Sequence, residues 1–258
     1  MPLAYITGAS SGIGQALALH YYRAGWRLAL LARRGEALQD WARQQGMDPA
    51  RYAIYPVDVR DLDATAAAGA ACIQAQGLPD VVIANAGISI GIDSAIHADL
   101  AVMRRIYETN NLGLAATFQP FIAPMRERGS GTLVGIASVA GIRGLPGHAA
   151  YCSSKAAVIS YCESLRGECR PDGVKVVTLL PGYVDTPLTR GNRYAMPFLM
   201  TPEAFATRAA RAIAAGASER TIPWQMGLVG GVLRLLPNAL FDRLLAGRPR
   251  KHRESASD

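Results

Sequence analysis

The fold of this chain is restricted most by a regular alternation between short apolar runs and longer amphipathic stretches. The apolar runs occupy 3–7, 27–32, 52–57, 81–84, 132–137 and 174–180, with a short last one at 220–223. Helical patterns fill the intervals at 12–24, 36–45, 62–76, 101–126, 149–169 and 202–214. Strands that are apolar on both faces and alternate with amphipathic helices predict a parallel sheet covered by helices on both sides.

Right-handed crossovers between such strands give an α/β fold with a doubly wound parallel sheet, whose ligand crevice lies at the carboxyl ends of the strands. No linker, repeat or change of composition divides the 258 residues, so we predict a single domain over 1–258. The long helical pattern at 101–126 is expected to bend or break around 110–113.

Composition and charge narrow the range of functions. With 50% hydrophobic and 18% charged residues, the chain has ample material for a buried core. The formal net charge of +7 arises partly from Arg248, Arg250, Lys251 and Arg253 close to the end. We interpret this cluster as a basic tail and expect no nucleic-acid partner, because neither zinc-finger spacing nor an aromatic-and-basic pattern accompanies it.

The four cysteines, Cys72, Cys152, Cys162 and Cys169, form no C-x-x-C pair, which indicates reduced thiols and no metal site. The sequence contains neither a secretory signal pattern nor a run long enough to span a bilayer. We therefore expect a cytoplasmic protein.

A glycine-rich turn joins the first predicted strand to the first predicted helix. Glycines allow a tight turn and a close approach of the backbone to a pyrophosphate, while the helix N-terminus offers free N–H groups. The spacing is T-G-x-x-x-G-x-G and differs from G-x-G-x-x-G, but its place between strand and helix still predicts a Rossmann-like nucleotide site. Its candidate cofactor residues are Gly8, Ser10, Ser11, Gly12, Ile13 and Gly14.

This turn resembles the cofactor turn of the short-chain dehydrogenase/reductase family. The family's other motifs occur in their usual order: Asn85-Ala86-Gly87, Asn110-x-x-Gly113, Ser138, Tyr151-x-x-x-Lys155 and Pro181-Gly182. The resemblance covers about residues 3–189 and implies a nicotinamide-dependent oxidoreductase. In such an enzyme Asn85, Ala86 and Gly87 would border the cofactor.

The end of the second strand bears on the choice of cofactor. NAD sites usually place a carboxylate there, whereas a 2′-phosphate needs arginine. Here the strand is followed by Arg33 and Arg34, with no acid before Glu36. A guanidinium can hold a phosphate through charge-assisted hydrogen bonds, so we predict NADP(H), with Arg33 as the leading ligand and Arg34 second. The alternatives are a solvated helix start and an NAD-dependent enzyme.

Two further segments are assigned to the cofactor. Asp58 and Val59 follow the third strand, and Asp58 is similar to the family's adenine-contacting residue; the alternative is a cap of the next helix. Pro181, Gly182, Val184 and Thr186 follow the sixth strand. The resemblance makes the backbone near Val184 a partner of the nicotinamide carboxamide, with Thr186 capping it.

Tyr151 and Lys155 lie four residues apart near the start of a predicted helix, hence on one face. Carbonyl reduction needs a hydride on carbon and a proton on oxygen, but a phenol with a pKa of about 10 exchanges protons poorly near neutrality. A neighbouring ammonium and an oxidised nicotinamide would lower that pKa. We predict Tyr151 as the general acid and base, and the resemblance implies that Lys155 also holds the nicotinamide ribose.

Ser138 and Asn110 complete the candidate catalytic set. A neutral hydroxyl at Ser138 can hydrogen-bond the substrate oxygen, on which charge develops during hydride transfer. Asn110 would hold a water on the bent helix and so connect Lys155 to solvent. Asn111 allows a register shifted by one residue, but Gly113 favours Asn110.

The substrate side is predicted from apolar loops. Segment 183–200 carries many large apolar side chains, including Leu188, and is a candidate lid. His148 is expected to be a polar residue of the opposite wall rather than a catalyst.

Residues 224–258 form an apolar and then basic extension, broken at Gly230, Gly231, Arg234 and Pro237. Three interpretations compete: packing on the domain or a partner subunit, an extension of the substrate pocket, and weak contact with an anionic membrane surface. The helices with Leu114–Met125 and Ala156–Leu165 resemble the family's dimer helices, so a homodimer or homotetramer is expected.

The sequence thus predicts an NADP(H)-dependent oxidoreductase that acts on an apolar ketone or aldehyde or on a secondary alcohol. An NAD-dependent alcohol dehydrogenase is the second hypothesis. A non-catalytic NADP(H)-binding sensor is the third, although it would be expected to have lost catalytic positions that are all present here.

Overall fold

The computed structural model describes residues 1–192, 194–247, 249 and 251–254. Arg248 and Arg250 of the predicted basic tail lie outside the described residues. Seven strands form one sheet: β1 (Leu3–Thr7), β2 (Arg27–Leu31), β3 (Tyr52–Tyr55), β4 (Val81–Ala84), β5 (Gly131–Ile136), β6 (Val174–Pro181) and β7 (Glu219–Ile222). All pairs are parallel, in the order β3-β2-β1-β4-β5-β6-β7. The predicted doubly wound sheet is confirmed.

Nine α-helices are found in the described residues: α1 (Gly12–Arg23), α2 (Gly35–Gln44), α3 (Leu62–Gln76), α4 (Asp99–Tyr107), α5 (Gly113–Arg128), α6 (Ala149–Cys169), α7 (Pro202–Ala214), α8 (Trp224–Leu235) and α9 (Asn238–Leu245). Helices α1, α2 and α7 share one core cluster with the sheet, through residues such as Leu17, Leu38 and Phe205. Helices α3, α5 and α6 share a second cluster, which includes Phe118 and Val158. The sheet is therefore covered on both faces, which explains why the central strands β1 and β4 are apolar and buried along their whole length.

Several helix starts follow from local sequence. The Asp61 carboxylate accepts a hydrogen bond from Ala64 N at 2.9 Å and caps α3. Thr201 caps α7 in the same way, with Pro202 in the first turn. The predicted break in the long helix is also confirmed, because a π-helical turn at Glu108–Leu112 separates α4 from α5.

The end of one strand is corrected, and the glycines of α8 have a packing role. The third strand ends at Tyr55 rather than at 57, since Pro56 has no N–H for the ladder. Helix α8 runs through Gly230 and Gly231, the glycines that interrupt the apolar run of the extension. A Cβ on Gly230 would lie 2.5 Å from Ile142 Cδ1, so this glycine permits close packing of α8 against the segment after β5.

The four cysteines are buried and free. Within the described part of the chain, no helix combines the length and the apolar character needed to cross a membrane.

Candidate active site

The turn after β1 adopts a backbone that requires glycine. Gly8 and Gly12 have φ angles of 65° and 56°, in the left-handed region that other residues rarely adopt. Gly14 is buried against the turn, and a Cβ there would lie 2.3 Å from Gly8 O. The turn is thus folded back on the first residues of α1.

Asn85 braces this turn from the neighbouring strand. Its side-chain Nδ2 donates to Thr7 O at 3.0 Å, and Thr7 Oγ1 accepts from the backbone N–H of Asn85 and of Ala86. These bonds join the carboxyl ends of β1 and β4. Because the strand order reverses between those two strands, this is the point where a doubly wound sheet opens a ligand crevice.

The N-terminus of α1 is open to an anion. Its N-cap residue, Ser11, makes no side-chain capping bond, and the first turn contains no acidic residue. The N–H groups of that turn therefore keep their hydrogen-bonding capacity and the positive end of the helix dipole is not neutralised. Together with the glycine turn, this end fits the pyrophosphate of a dinucleotide.

Arginines surround a single carboxylate at the ends of β2 and β3. Asp58 pairs with Arg60 at 2.7 Å and lies 3.9 Å from Arg33 Nη1. The hydrogen bond from Arg60, and then the charges of Arg60 and Arg33, hold the pKa of Asp58 below its usual value. The alternative that Asp58 caps the next helix is wrong, since Asp61 caps α3. Arg34 is exposed at the start of α2 beside this group.

Ser138 directly follows β5 and faces Tyr151. Its Oγ accepts from Ala140 N at 3.1 Å and caps a short 3-10 turn, Val139–Gly141. Burial raises the pKa of Tyr151 to about 12, and a hydrogen bond with Ser138 acts in the opposite direction. Without a further positive charge, the phenol is therefore held in its protonated form.

Lys155 lies one helical turn after Tyr151 and is buried. Its Nζ donates to Ile136 O at 2.7 Å and lies 5.9 Å from the centre of the Tyr151 ring. Burial lowers the pKa of Lys155 to about 8.

Asn110 lies in the π-helical turn and is only 1% exposed. Its Oδ1 accepts from Ile88 N at 2.8 Å, and its Nδ2 donates to Ile88 O and to Ser154 Oγ, each at 3.0 Å. The next residue, Asn111, bonds only the backbone of Ser154 among its described partners. Asn110 thus fixes the segment that follows Asn85-Ala86-Gly87.

Segment 183–200 has its two ends joined. Val184 pairs with Met200 in an isolated parallel bridge, Met200 N donates to Tyr183 O, and Asp185 N donates to Met200 O. Thr189 Oγ1 donates to Val184 O inside the loop and accepts from Thr186 N. The segment is consequently a compact loop with closed ends rather than an open connection.

All these elements border one cleft of about 1420 Å³. Of the predicted site residues, all but Gly14 and Asn110 line it: Gly8, Ser10, Ser11, Gly12, Ile13, Arg33, Arg34, Asp58, Val59, Asn85, Ala86, Gly87, Ser138, His148, Tyr151, Lys155, Pro181, Gly182, Val184, Thr186 and Leu188. Gly14 and Asn110 lie behind the wall and shape it. In the described residues no three His, Cys, Asp or Glu side chains are grouped to hold a metal ion.

The cleft also has residues that the sequence did not reveal as site residues. Its wall includes Arg60, Arg105, Arg143, Tyr194, Met226, Val229, Lys251 and Glu254. Lys251 was visible only as part of a basic tail. Tyr194 and Met226 were visible only as members of apolar segments, and nothing local marks Arg105 or Glu254.

Comparisons with known proteins agree with this geometry. A family model described as short chain dehydrogenase matches residues 2–196. An uncharacterized oxidoreductase of Myxococcus xanthus is 40% identical over 244 residues, which are 93% of this chain and 94% of that protein. A short-chain dehydrogenase from Streptomyces avermitilis superposes with a TM-score of 0.80 at 27% identity, over 90% of this chain and 92% of that one.

A second solved structure is an alcohol dehydrogenase from the archaeon Thermococcus sibiricus in complex with 5-hydroxy-NADP. It has a TM-score of 0.74 at 27% identity and covers 86% of this chain and 96% of that one. The residues matched by the family model include the whole glycine turn and strands β1 to β6.

Proposed function

This chain belongs to the short-chain dehydrogenase/reductase family, and we propose that it is an NADP(H)-dependent oxidoreductase that interconverts an apolar ketone or aldehyde and the corresponding alcohol. The family and its relatives make it an oxidoreductase with a nicotinamide cofactor. The proposal adds the cofactor type, the substrate class and the role of Tyr151 as proton donor and acceptor.

One observation carries the proposal. Tyr151, Ser138 and Lys155 line the same cleft as the glycine turn. A group that can transfer a proton therefore borders the same space as a backbone suited to a dinucleotide. Either feature alone has ordinary structural explanations, but their combination is what hydride transfer to a carbonyl requires.

The reaction is divided between the cofactor and the protein. When bound, the nicotinamide supplies the hydride for the carbonyl carbon or accepts it in the reverse reaction. Ser138 donates a hydrogen bond to the substrate oxygen, on which negative charge develops. Tyr151 gives its phenolic proton to that oxygen in reduction and takes it back in oxidation.

Alcohol oxidation requires the Tyr151 phenolate, so we expect Lys155→Met to change the pH profile. The ammonium favours the anion and lowers the pKa of Tyr151; its removal raises that pKa and lowers the phenolate fraction at every pH below it. The rising limb of the pH profile of kcat/KM for oxidation should move to higher pH. Near neutrality, kcat/KM should fall by about 100-fold.

Lys175→Met is the matched control for this change, because Lys175 is an exposed lysine on β6 outside the cleft. Its pH profile should equal that of the wild type. If the rising limb of the Lys155→Met profile stayed at the same pH as that of the wild type, an electrostatic role of Lys155 would be contradicted.

The preference for NADP(H) is proposed from the arginines beside Asp58. Arg33 and Arg34 are exposed on the cleft wall, while the guanidinium of Arg60 is engaged by Asp58. Arg33 and, second, Arg34 are thus available to the 2′-phosphate. That the Thermococcus sibiricus alcohol dehydrogenase was solved with an NADP derivative supports this choice.

Replacement of Arg33 by Ala is expected to raise the Kd of NADPH by about 10- to 100-fold, the value of a charge-assisted hydrogen bond. The Kd of NADH should change little, because NADH lacks the phosphate. Fluorescence titration measures both constants. Arg43→Ala, on the exposed side of α2 and paired with Asp40, is the control. Equal losses for both cofactors would reject a phosphate-specific role of Arg33.

The remaining cofactor residues are proposed from their positions on the cleft. Ser10, Ser11, Gly12 and Ile13 would hold the pyrophosphate. We propose that Asp58 and Val59 contact the adenine, and that Pro181, Gly182, Val184 and Thr186, which line the same cleft, border the nicotinamide. Asn110 is proposed to hold a water that connects Lys155 to solvent, and its bonds to Ile88 also position the segment that follows Gly87.

The whole proposal is tested with a panel of carbonyl compounds, from short aldehydes to large apolar ketones, and with both NADPH and NADH. NADPH-dependent reduction of apolar members is the expected result. Better turnover with NADH would favour the NAD-dependent hypothesis, and binding of NADPH without any turnover would favour the sensor.

We propose segment 183–200 as the substrate lid and 224–258 as a C-terminal extension of the single domain. Leu188 lines the cleft from the loop, and Met226, Val229 and Leu233 line it from α8. The extension thus has an inner face on the cleft, in support of the interpretation that it enlarges the substrate pocket. His148 is proposed as a polar wall residue, within 3.3 Å of Tyr194 OH.

A homodimer or homotetramer is proposed from helices α5 and α6. Ala156, Ala157, Ser160 and Ser164 form an exposed stripe of small residues on α6. Such a stripe permits the close approach of a second helix, and light scattering of the purified protein would give the mass of the assembly.

A weak membrane-surface contact is proposed from the outer face of α8. Trp224, Leu228, Val232 and Leu235 form an exposed apolar stripe, with Trp224 64% and Leu235 85% exposed. Arg234 lies on the same helix and Arg243 on α9, so anionic lipid would be preferred. Salt-sensitive co-sedimentation with anionic vesicles is expected, and Leu235→Glu should abolish it.

A further inference from the structure

The C-terminal segment 251–254 lies against the end of the cleft that is lined by His148, Leu188 and Tyr194. We call this part of the cleft its substrate end. Gly91 N donates to His252 O at 2.8 Å, and Gly91 pairs with Arg253 in a parallel bridge. A Cβ on Gly91 would lie 2.3 Å from Lys251 O, so only glycine allows the segment to come this close. The backbone contact fixes the position of the segment along the wall.

An ion pair also holds the same segment. Arg253 Nε donates to Asp99 Oδ2 at 2.7 Å and Arg253 Nη2 to Asp99 Oδ1 at 2.9 Å. Asp99 is buried at the start of α4 and also accepts from Asp93 N. The hydrogen bonds from Arg253 keep the pKa of Asp99 below its usual value. This bidentate pair fixes the orientation of the Arg253 side chain as well as its distance from Asp99.

The segment brings Lys251 to the cleft. Lys251 Nζ donates to Leu188 O in loop 183–200 at 2.9 Å, and Lys251 and Leu188 are both part of the cleft wall. His148 is a neighbour: burial lowers its pKa, and the charge of Lys251 lowers it further. His148 contacts Tyr194, and both line the same cleft as Tyr151. Lys251 thus borders the same space as the proposed catalytic phenol.

The substrate end of the cleft has unneutralised positive charge. The carboxylates on its wall are Asp58, paired with Arg60, and Glu254, paired with Arg105. No carboxylate of the described residues lies within ion-pair distance of Lys251. An ammonium has three N–H donors, and the backbone of Leu188 accepts from one of them.

Arg143 does not offer a comparable group. Its guanidinium donates to Leu233 O, Leu236 O and Asn238 Oδ1 and stacks on Phe241. It therefore anchors α8 and α9, and among the described residues we take Lys251 as the cation of this wall that still has N–H donors for a ligand.

We propose that Lys251, placed by the Arg253–Asp99 ion pair, is a substrate-binding residue, and that the carbonyl substrate carries an anionic group such as a carboxylate on its apolar body. This inference rests on the proposed function. Recognition of the anion needs no new step, because the hydride and proton transfers stay at the carbonyl group. Burial lowers the pKa of Lys251, and an anion bound here would give its ammonium a charge-assisted hydrogen bond and favour the protonated form.

The test compares oxo-carboxylic acids of increasing chain length with their methyl esters, with NADPH, in the full-length protein. The wild type should prefer the acid of matching length to its ester. Lys251→Met should lower kcat/KM for that acid by about 10- to 100-fold, mainly through KM, and leave the ester nearly unchanged. Lys251→Arg should keep most of the preference for the acid.

Arg253→Gln tests whether Lys251 depends on the Arg253–Asp99 ion pair for its position. It leaves Lys251 in the chain but removes the bond that positions it, so KM for the acid should rise while kcat and the Kd of NADPH stay close to those of the wild type. Lys175→Met, outside the cleft, should have no effect.

The outcomes distinguish the inference from the proposed function. If Lys251→Met weakens acid and ester equally, Lys251 only fastens loop 183–200 and the inference is overturned while the proposed function stands. If the wild type prefers esters, the inference is overturned as well. If the wild type binds NADPH but reduces neither series nor any neutral carbonyl compound, the proposed function fails and the inference fails with it.

Discussion

Replacement of Tyr151 by Phe is expected to lower kcat for carbonyl reduction by about 10²- to 10⁴-fold, the usual contribution of a positioned acid. The substitution removes only the phenolic O–H that protonates the substrate oxygen. Lys155 should stay in place because its Nζ is held by Ile136 O. The Kd of NADPH is therefore expected to change by less than about twofold, since the lost interaction belongs to the transition state. Steady-state NADPH oxidation and fluorescence titration measure the two quantities.

Tyr161→Phe is the matched control, because Tyr161 lies on the same helix but is exposed and outside the cleft. It should retain full activity. A Tyr151→Phe protein that keeps most of its kcat would show that another group supplies the proton, and the mechanism proposed above would then be wrong. A large loss of NADPH affinity would instead assign Tyr151 to cofactor binding.

The architecture was predictable because its determinants are local. Strands β1 and β4 are buried along their whole length, so each appears in the sequence as an uninterrupted apolar run. Helix α3 begins where Asp61 can cap it. The break before Gly113 was also visible. Its π-helical form was not, since it depends on the bonds of Asn110 to Ile88, which is far away in sequence.

The candidate site also has residues that local sequence marks and residues that only the fold brings together. The glycine turn, Ser138, Tyr151 and Lys155 belong to short motifs that the order of elements brings to one edge of the sheet. The Arg253–Asp99 pair joins residues 154 positions apart, and no periodicity marks either of them. Sequence patterns describe neighbours along the chain, so they could identify a basic tail at Lys251 but not the wall that it completes.

Some glycines have a packing role that the sequence did not indicate. In the sequence Gly230 only interrupts an apolar run, yet it is an interior residue of α8, and a Cβ there would lie 2.5 Å from Ile142 Cδ1. Gly14 was assigned to the cofactor, yet it does not line the cleft. It instead allows α1 to approach the turn, so its contribution to cofactor binding is indirect.

Gly14→Ala is expected to destabilise the protein by about 3 kcal/mol, the upper end of the range for overpacking, because the added Cβ meets backbone rather than a flexible side chain. It would lie 2.3 Å from Gly8 O and 2.5 Å from Asn85 Nδ2, so the turn and its brace must both shift. A fall in Tm of roughly 6–12 °C follows for a chain of this size. NADPH affinity should fall too, since the displaced turn carries Gly8 and Gly12.

Gly167→Ala gives the opposite expectation and serves as the control. Gly167 lies within α6, and a Cβ there would meet no other atom within 4 Å. Alanine should therefore stabilise the helix by about 0.5–1 kcal/mol through the lower entropy of the unfolded chain. Thermal unfolding with and without NADPH measures both variants. If Gly14→Ala melted with the wild type and gained the same increase in Tm from NADPH, the close contact between turn and helix would have no part in forming the nucleotide site.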